Sequence, residues 1–209
     1  MSKPVLVLGG SGRTGGHVVR LLREGGREVI AFGRSPVKGY EADEGVRFVR
    51  GEVGDPAALA PLLAETDAVV AALASTNKDP VCSTATRAVI EAANGSVRYV
   101  TVSGAGVDAD GDQKGVPDKL IGAVMRVVVG GMLRDRQEEL ALLKNSALQW
   151  TALRPPRLVD GAATGRIAWT FDRPANSKIT RADLGAAVVE AIDRADLHGR
   201  APFVAEAKA

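Results

Sequence analysis

Residues 5–16 read VLVLGGSGRTGG, an uninterrupted apolar run that passes directly into a glycine-rich loop. Four consecutive apolar residues are typical of a strand covered on both faces, as in a parallel sheet with helices on either side. The glycines at positions 9, 12 and 15 have the spacing GxxGxxG, and an amphipathic pattern from Val18 to Leu22 follows them. A glycine loop between a buried first strand and a first helix indicates a dinucleotide-binding site.

Each loop glycine has a predicted task at such a site. Gly9 lets the chain turn off the strand, Gly12 lets the backbone approach a pyrophosphate, and Gly15 lets the helix pack close to the strand. The helix N-terminus offers free N–H groups and the positive end of its dipole to the phosphates, and two hydroxyl side chains add further donors. We therefore expect the cofactor contacts of this loop to come from Gly9, Ser11, Gly12, Arg13, Thr14 and Gly15.

Two arginines predict which dinucleotide binds. NAD-binding sites usually place an acid at the end of the second strand, where it holds the ribose hydroxyls. In this chain the residue that follows Ala31-Phe32-Gly33 is Arg34 instead. An arginine pairs well with the 2′-phosphate of NADP, and Arg13 is a second candidate for the same phosphate. We expect NADP(H) as the cofactor, the alternative being that both arginines are solvated surface charges.

Short β-branched runs alternate with helical segments along the rest of the chain. This pattern predicts an α/β fold, and right-handed crossovers would order the strands into a Rossmann-type, doubly wound parallel sheet. We predict a single domain over residues 1–209, in which residues 155–205 form a small C-terminal extension on the substrate side. The predicted strands are Val5–Leu8, Glu28–Phe32, Val46–Arg50, Ala68–Leu73, Val97–Val102 and Gln149–Leu153, and the predicted helices are Thr14–Glu24, Pro56–Ala64, Thr84–Ala93 and a longer one that ends near Lys144.

This topology places further residues at the cofactor groove. Glu52 and Val53 follow strand 3 and are expected beside the adenine. Leu73, Ala74 and Ser75 end strand 4, where small residues would leave room for the cofactor. Ordinary loop packing explains the same residues equally well, so both interpretations stay open.

Three irregular or ambiguous stretches complete the predicted site. Residues 104–117 and 155–166 are predicted to be loops, and both follow the C-terminal ends of strands, where open α/β sheets bind their ligands. Leu120–Met132 is apolar on several sides and contains Gly130-Gly131. It is either a kinked core helix or a lid over a ligand.

Composition excludes several other classes of protein. A net charge of +2 is too small to indicate a nucleic acid or a membrane surface as partner. The single cysteine, Cys82, excludes an intrachain disulfide, and because His17 and His198 lie far apart in the sequence we predict no metal site. The sequence has no signal-peptide pattern and no apolar stretch of about 20 residues. We expect a cytoplasmic protein, monomeric or weakly homo-oligomeric, that acts on a small molecule.

Ser103 is the candidate catalytic residue. It follows strand 5 at the sheet edge where a nicotinamide is expected, and short-chain dehydrogenases use a serine there to hydrogen-bond the reacting oxygen. Those enzymes also need Tyr-x-x-x-Lys for proton transfer, whereas here Tyr40 precedes Glu44 and Tyr99 precedes Ser103 at that spacing. The remaining chemistry is hydride transfer to an acceptor that water can protonate, such as a flavin or a quinone. Arg157 is the predicted contact for a phosphate or carboxylate of that acceptor, although a surface arginine is an equal alternative.

Together these stretches resemble the atypical short-chain dehydrogenases of the NAD(P)H-binding family, and among them the flavin reductases also called biliverdin IX-beta reductases. The resemblance runs from residue 4 to residue 205. It implies that the glycine loop and Arg34 bind NADP(H), that Ser103 faces the nicotinamide, and that Pro155 and Pro156 line it. The stretches that carry it are GGSGRTGG at 9–16, Arg34, DAVV at 67–70, Val102-Ser103, WTALRPPR at 150–157 and KITRADLG at 178–185.

One residue departs from the family pattern. Where the flavin reductases carry a histidine after the paired prolines, this chain has Arg157, which counts against tetrapyrrole reduction more than against flavin or quinone reduction. The resemblance also covers relatives that sense NADP without turning it over. The sequence therefore predicts an NADPH-dependent reductase of a flavin, a quinone or a similar flat acceptor, with a non-catalytic NADP(H) sensor acting through a protein partner as the alternative.

Overall fold

The core of the molecule is a six-stranded sheet in which every strand runs parallel to its neighbours. The computed structural model describes residues 3–95, 97–113 and 130–208. The strands lie in the order β3-β2-β1-β4-β5-β6. The chain first adds strands on one side of β1 and then, from β4 onward, on its other side, so the strand order reverses between β1 and β4. This is the doubly wound Rossmann order, and it confirms the predicted fold class. The strands are β1 (Val5–Leu8), β2 (Val29–Gly33), β3 (Val46–Arg50), β4 (Ala68–Ala71), β5 (Arg98–Val102) and β6 (Gln149–Leu153).

Helices cover both faces of this sheet. One apolar cluster joins alternate strand residues such as Val5 and Val7 to helices α1 and α5. A second cluster joins the intervening residues, Leu6 and Leu8 among them, to α2, α3 and α4. Because successive strand residues point to opposite faces, a strand buried on both sides, such as β1, is a nearly continuous apolar run. The helices are α1 (Arg13–Glu24), α2 (Pro56–Ala64), α3 (Val81–Ala92), α4 (Gly130–Lys144) and α5 (Arg181–Ile192).

The C-terminal part contains more regular structure than the sequence predicted. The stretch 155–166, predicted to be a loop, contains strand β7 (Arg157–Val159), which pairs in parallel with β9 (Lys178–Thr180). A strand of three residues is too short to show an alternating pattern, and its partner lies far along the chain. A second ribbon pairs β8 (Ile167–Thr170) with β10 (Phe203–Glu206) in antiparallel orientation.

The predicted segment Leu120–Met132 lies largely outside the described residues, and only Gly130, Gly131 and Met132 are described, at the start of α4. Among the described residues, no helix is both long enough and apolar enough to span a membrane.

A buried carboxylate fastens the start of α5 to the preceding loop. Thr180 caps the helix by accepting a hydrogen bond from the Asp183 backbone N–H at 2.9 Å. The fully buried carboxylate of Asp183 accepts hydrogen bonds from the N–H groups of Thr164 and Gly165 and from the hydroxyls of Thr164 and Thr180. Burial acts to raise the pKa of Asp183, but these hydrogen bonds outweigh it and hold the pKa below its ordinary value.

We expect Asp183→Ala to lower the free energy of unfolding by about 2 kcal/mol at neutral pH. Because the pKa of Asp183 is lower in the folded state, its contribution is complete above its unfolded pKa, about 3.9, and is lost as the pH falls through the folded value. Urea unfolding of both proteins at pH 7 and near pH 3 should show the difference shrinking in acid. Asp110→Ala is the matched control, because that carboxylate is exposed and pairs with Lys144 at the surface. A difference that stays constant with pH would contradict this account of Asp183.

Candidate cofactor and substrate site

The glycine loop turns sharply where strand β1 ends. Gly9 has φ +82°, in the left-handed region that favours glycine. A Cβ at this position would lie 2.7 Å from the carbonyl oxygen of Ala72, at the end of β4. The turn therefore brings the loop against the end of β4. This is the point where the strand order reverses, and open α/β sheets bind ligands there.

Gly15 allows helix α1 to pack directly on this turn. A Cβ at Gly15 would lie 2.1 Å from the carbonyl oxygen of Gly9, a distance that no real Cβ can adopt. The N–H of Gly12 donates to the same oxygen at 3.0 Å. Gly12 is also the N-cap residue of α1, and no side chain among the described residues caps the helix there. The first-turn N–H groups are thus left for a ligand, as expected of a phosphate-binding helix.

The remaining residues of the predicted phosphate site surround this helix start. Ser11 and Arg13 are exposed, and Thr14 is half-buried. Arg13 lies 3.9 Å from the carboxylate of Asp160, in a pair that is largely exposed on both sides and therefore weak. Arg34 is exposed directly after β2, the position that faces the adenosine ribose in this fold.

The residues predicted beside the adenine and along β4 lie at the carboxyl ends of their strands. Glu52 is exposed, whereas Val53 packs against the second apolar cluster. Leu73 is half-buried and Ala74 is exposed.

Ser75, which the sequence predicts to contact the cofactor, has hydrogen-bond partners within the protein. Its side chain is buried, and its hydroxyl hydrogen-bonds the carboxylate of Asp135 and, at 2.9 Å, the thiol of Cys82. The Ser75 hydroxyl thus bonds helix α4, and its contact with the cofactor stays a prediction. Sequence reasoning could not find this partner, because Asp135 lies sixty residues away along the chain.

Ser103 and Pro155 are brought together at the carboxyl ends of β5 and β6. The N–H of Ser103 donates to Leu153 O at 2.7 Å, and the N–H of Ala105 donates to Pro155 O at 2.9 Å. Pro155 is buried and Pro156 half-buried, while Arg157 is exposed at the start of β7. The predicted catalytic serine and the paired prolines therefore belong to one sheet edge.

The hydroxyl of Ser103 is buried but has no hydrogen-bond partner within residues 3–95, 97–113 and 130–208. A buried hydroxyl without a partner costs free energy, and such groups in native structures call for a specific explanation. A ligand bound at this sheet edge would supply the missing partner.

The two tyrosines of the chain are unsuited to replace a catalytic base. Tyr99 is fully buried within β5 and its hydroxyl lies 2.8 Å from Thr86 Oγ1. Burial raises the pKa of Tyr99 well above its ordinary value. Tyr40 is half-buried against the first apolar cluster.

Burial also raises the pKa of the Cys82 thiol to about 12, which keeps it protonated at neutral pH.

A family comparison agrees with this geometry. Residues 9–195 match the NAD(P)H-binding family model, which covers most of the chain. The chain belongs to the NAD(P)H-binding family. The match begins at the first loop glycine, and the glycine cradle, the uncapped helix start and the unpartnered serine fit a bound NAD(P)H. No curated protein sequence matches the chain.

Solved structures of similar fold cover nearly the whole chain. ChuY, an anaerobilin reductase from Escherichia coli O157:H7, is 20% identical over 97% of each chain, with a TM-score of 0.79. A short-chain dehydrogenase/reductase from Veillonella parvula, solved in complex with NADP, is 18% identical over 99% of this chain and 95% of its own, with a TM-score of 0.77. At these identities the likeness concerns the fold alone.

Sequence reasoning missed a group of buried charges behind the groove of this NAD(P)H-binding protein. Asp135 and Glu139 of α4 are almost fully buried, and Arg136 lies beside them. In the sequence they are part of RDRQEE, which has the appearance of a solvated helix face. The i, i+4 spacing of the two acids on one side of the helix was the available signal, but it does not distinguish a buried face from an exposed one.

Arg154 lies in the stretch WTALRPPR at 150–157, and its contacts in the fold are structural. Its guanidinium is buried over the ring of Phe203 and donates to Val107 O, Ala201 O and the carboxylate of Asp112. It thereby fastens the loop that follows Ser103 to the C-terminal ribbon.

Proposed function

We propose that this protein is an NADPH-dependent reductase that delivers hydride to a flat, easily protonated acceptor, a flavin or a quinone. The observation that carries the proposal is the buried, unpartnered Ser103 hydroxyl at the carboxyl ends of β5 and β6, with no tyrosine base beside it in the described residues. A lone hydroxyl can orient and hydrogen-bond an acceptor, but it does not supply a tuned acid. This favours acceptors that water can protonate.

The chain's own residues would bind and orient the dinucleotide. The uncapped start of α1 and the loop glycines would hold the pyrophosphate, and Arg34 would pair with the 2′-phosphate. Pro155 would lie against the nicotinamide, and the Ser103 hydroxyl would donate to a polar atom of the acceptor. When bound, the reduced nicotinamide supplies the hydride.

The acceptor is proposed from the substrate-side residues. Arg157 is an exposed cation directly after the paired prolines, and a guanidinium is suited to the phosphate of a flavin or to a carboxylate. ChuY, of the same fold, is an anaerobilin reductase. The flavin reductases that this chain resembles carry a histidine at the position of Arg157. The arginine in its place favours a flavin or a quinone over a tetrapyrrole as the acceptor.

Ser103→Ala tests the proposal. We expect kcat for NADPH oxidation with flavin mononucleotide (FMN) to fall by about tenfold or more, because a preorganised donor to the reacting acceptor is removed. The Kd for NADPH should change much less, because the backbone N–H of Ser103, which bonds Leu153, is retained. Steady-state kinetics and a fluorescence titration of bound NADPH measure the two quantities separately.

Ser146→Ala is the matched control, since Ser146 bonds Leu143 O at the far end of α4, and both constants should remain at the wild-type values. An unchanged kcat in Ser103→Ala would remove the serine from the mechanism. Equal losses in kcat and in NADPH affinity would assign it to cofactor binding alone.

A further inference from the structure

One face of helix α4 lies against the segment that follows strand β4. A Cβ at Gly131 would lie 2.3 Å from the carbonyl oxygen of Asn77, so the helix approaches this segment at backbone contact distance. The next residues on the same face, at the i+4 and i+8 positions, are Asp135 and Glu139. Gly131 lies against the chain between β4 and α3, Asp135 bonds the start of α3, and Glu139 bonds strand β5.

Asp135 joins that segment to the start of helix α3. Its carboxylate accepts the N–H groups of Cys82 and Ser83 at 3.0 Å each, and also the hydroxyl of Ser75. It therefore caps the N-terminus of α3 from a different helix, where Pro80 provides no side-chain cap.

Arg136 holds the backbone of Leu73, the second residue after β4. One guanidinium nitrogen donates to Leu73 O at 2.6 Å, and the other donates to Glu139 at 2.7 Å. Glu139 in turn accepts the hydroxyl of Thr101 on β5 at 2.8 Å. The buried carboxylate of Glu139 thus holds Arg136 in place, and Arg136 in turn holds the backbone carbonyl of Leu73.

That carbonyl belongs to a residue that touches the glycine loop. The Leu73 side chain would lie 3.1 Å from a Cβ at Gly9, and Ala72 O only 2.7 Å from it. Residues 72 and 73 therefore pack directly against the phosphate-binding turn. A shift of the Leu73 carbonyl would therefore disturb the support of this turn, on which the position of the bound dinucleotide depends.

Stability alone does not explain this arrangement. Burying an arginine–carboxylate pair is costly, and replacing such a pair by apolar side chains is often neutral or stabilising. The rigid guanidinium of Arg136 is instead suited to holding the Leu73 carbonyl at a fixed position relative to the Glu139 carboxylate. Preorganisation of a binding groove lowers the ordering cost that a ligand would otherwise meet.

We infer that Arg136 is a positioning residue for the dinucleotide, which it serves by holding the Leu73 carbonyl, with Glu139 as its anchor. The inference depends on NAD(P)H binding, which the family establishes, and not on the acceptor or on turnover. Its failure is therefore distinguishable from failure of the proposed reductase activity.

Two variants separate positioning from simple structural support. Arg136→Met should raise the Kd for NADPH by about tenfold and also lower the melting temperature, because Glu139 is left buried without its cation. The double variant Arg136→Met/Glu139→Met removes both charges. It should recover most of the melting temperature while the weakened NADPH binding persists, since the Leu73 carbonyl is still released. Fluorescence titration of NADPH and thermal unfolding measure the two properties in the same samples, and the double variant carries the test if the single one does not fold.

Arg98→Met is the matched control. Arg98 is another buried arginine whose hydrogen bonds hold backbone carbonyls of Gln149, Ala191 and Ile192, at the opposite end of the sheet. It should lose stability and keep its NADPH affinity to within about twofold, because distant sites act independently. Recovery of both stability and affinity in the double variant would overturn the inference, and so would an equal loss of affinity in Arg98→Met.

Discussion

Replacing Gly15 by alanine should reduce the affinity for NADPH by at least about a hundredfold, because a displacement of the phosphate-binding loop on the order of 1 Å is enough for such a loss. The added methyl group would lie 2.1 Å from Gly9 O and 2.8 Å from Gly9 C. Both contacts are with backbone, so neither can be relieved by a change of side-chain rotamer. Helix α1 and the turn must therefore separate. The N–H groups of the first helical turn then no longer point together at the pyrophosphate. Fluorescence titration of bound NADPH measures the loss.

Gly16→Ala provides a control at the adjacent residue. The nearest atom to a Cβ there is Gly10 O at 3.9 Å, an ordinary contact. This variant should bind NADPH as the wild type does, and it should gain about 0.5–1 kcal/mol of stability from the better helix former. If Gly15→Ala bound NADPH with wild-type affinity, the proposed position of the pyrophosphate over this turn would be wrong.

Replacing Arg34 by aspartate should reverse the preference between the two dinucleotides. We expect kcat/KM with NADPH to fall by about a hundredfold, since a charge-assisted pair with the 2′-phosphate is replaced by repulsion. With NADH the value should stay constant or rise, because a carboxylate at the end of β2 suits the ribose hydroxyls. Steady-state kinetics with both dinucleotides and one acceptor measures the preference as a ratio.

Arg87→Asp makes the same change in net charge at a remote surface position, where Arg87 pairs with Glu138. It should leave the ratio unchanged, which separates a local effect from a general loss of attraction for anions. A wild-type protein that preferred NADH, or an Arg34→Asp variant that kept the preference for NADPH, would contradict the role given to Arg34.

The strands and the glycine loop could be predicted because their signals are local. Val5–Leu8 and Gln149–Leu153 were predicted to the residue, and the apolar run that marks β4 needed correction only at its end, where Ala72 and Leu73 leave the strand. A strand buried on both faces is apolar at most positions, and a turn with positive φ favours glycine. Both features are visible in a single stretch of sequence.

The residues behind the groove could not be predicted because their partners are distant along the chain. Arg136 looks like one more charge on an exposed helix until the fold places Leu73 beside it. The same holds for Ser75, whose hydroxyl is directed to α4 by an aspartate that no local pattern connects with it. Small polar residues at strand ends are compatible with a cofactor and with tertiary packing alike, and only the three-dimensional contacts distinguish the two.

The most direct test of the proposed function follows the oxidation of NADPH with FMN as acceptor, beside a quinone and beside NADH in place of NADPH. A reductase of the proposed kind oxidises NADPH with one of these acceptors and uses NADH clearly less well. If no acceptor is reduced, although NADPH binds saturably in the same samples, the catalytic role of Ser103 is contradicted, and the non-catalytic NADP(H) sensor becomes the favoured function.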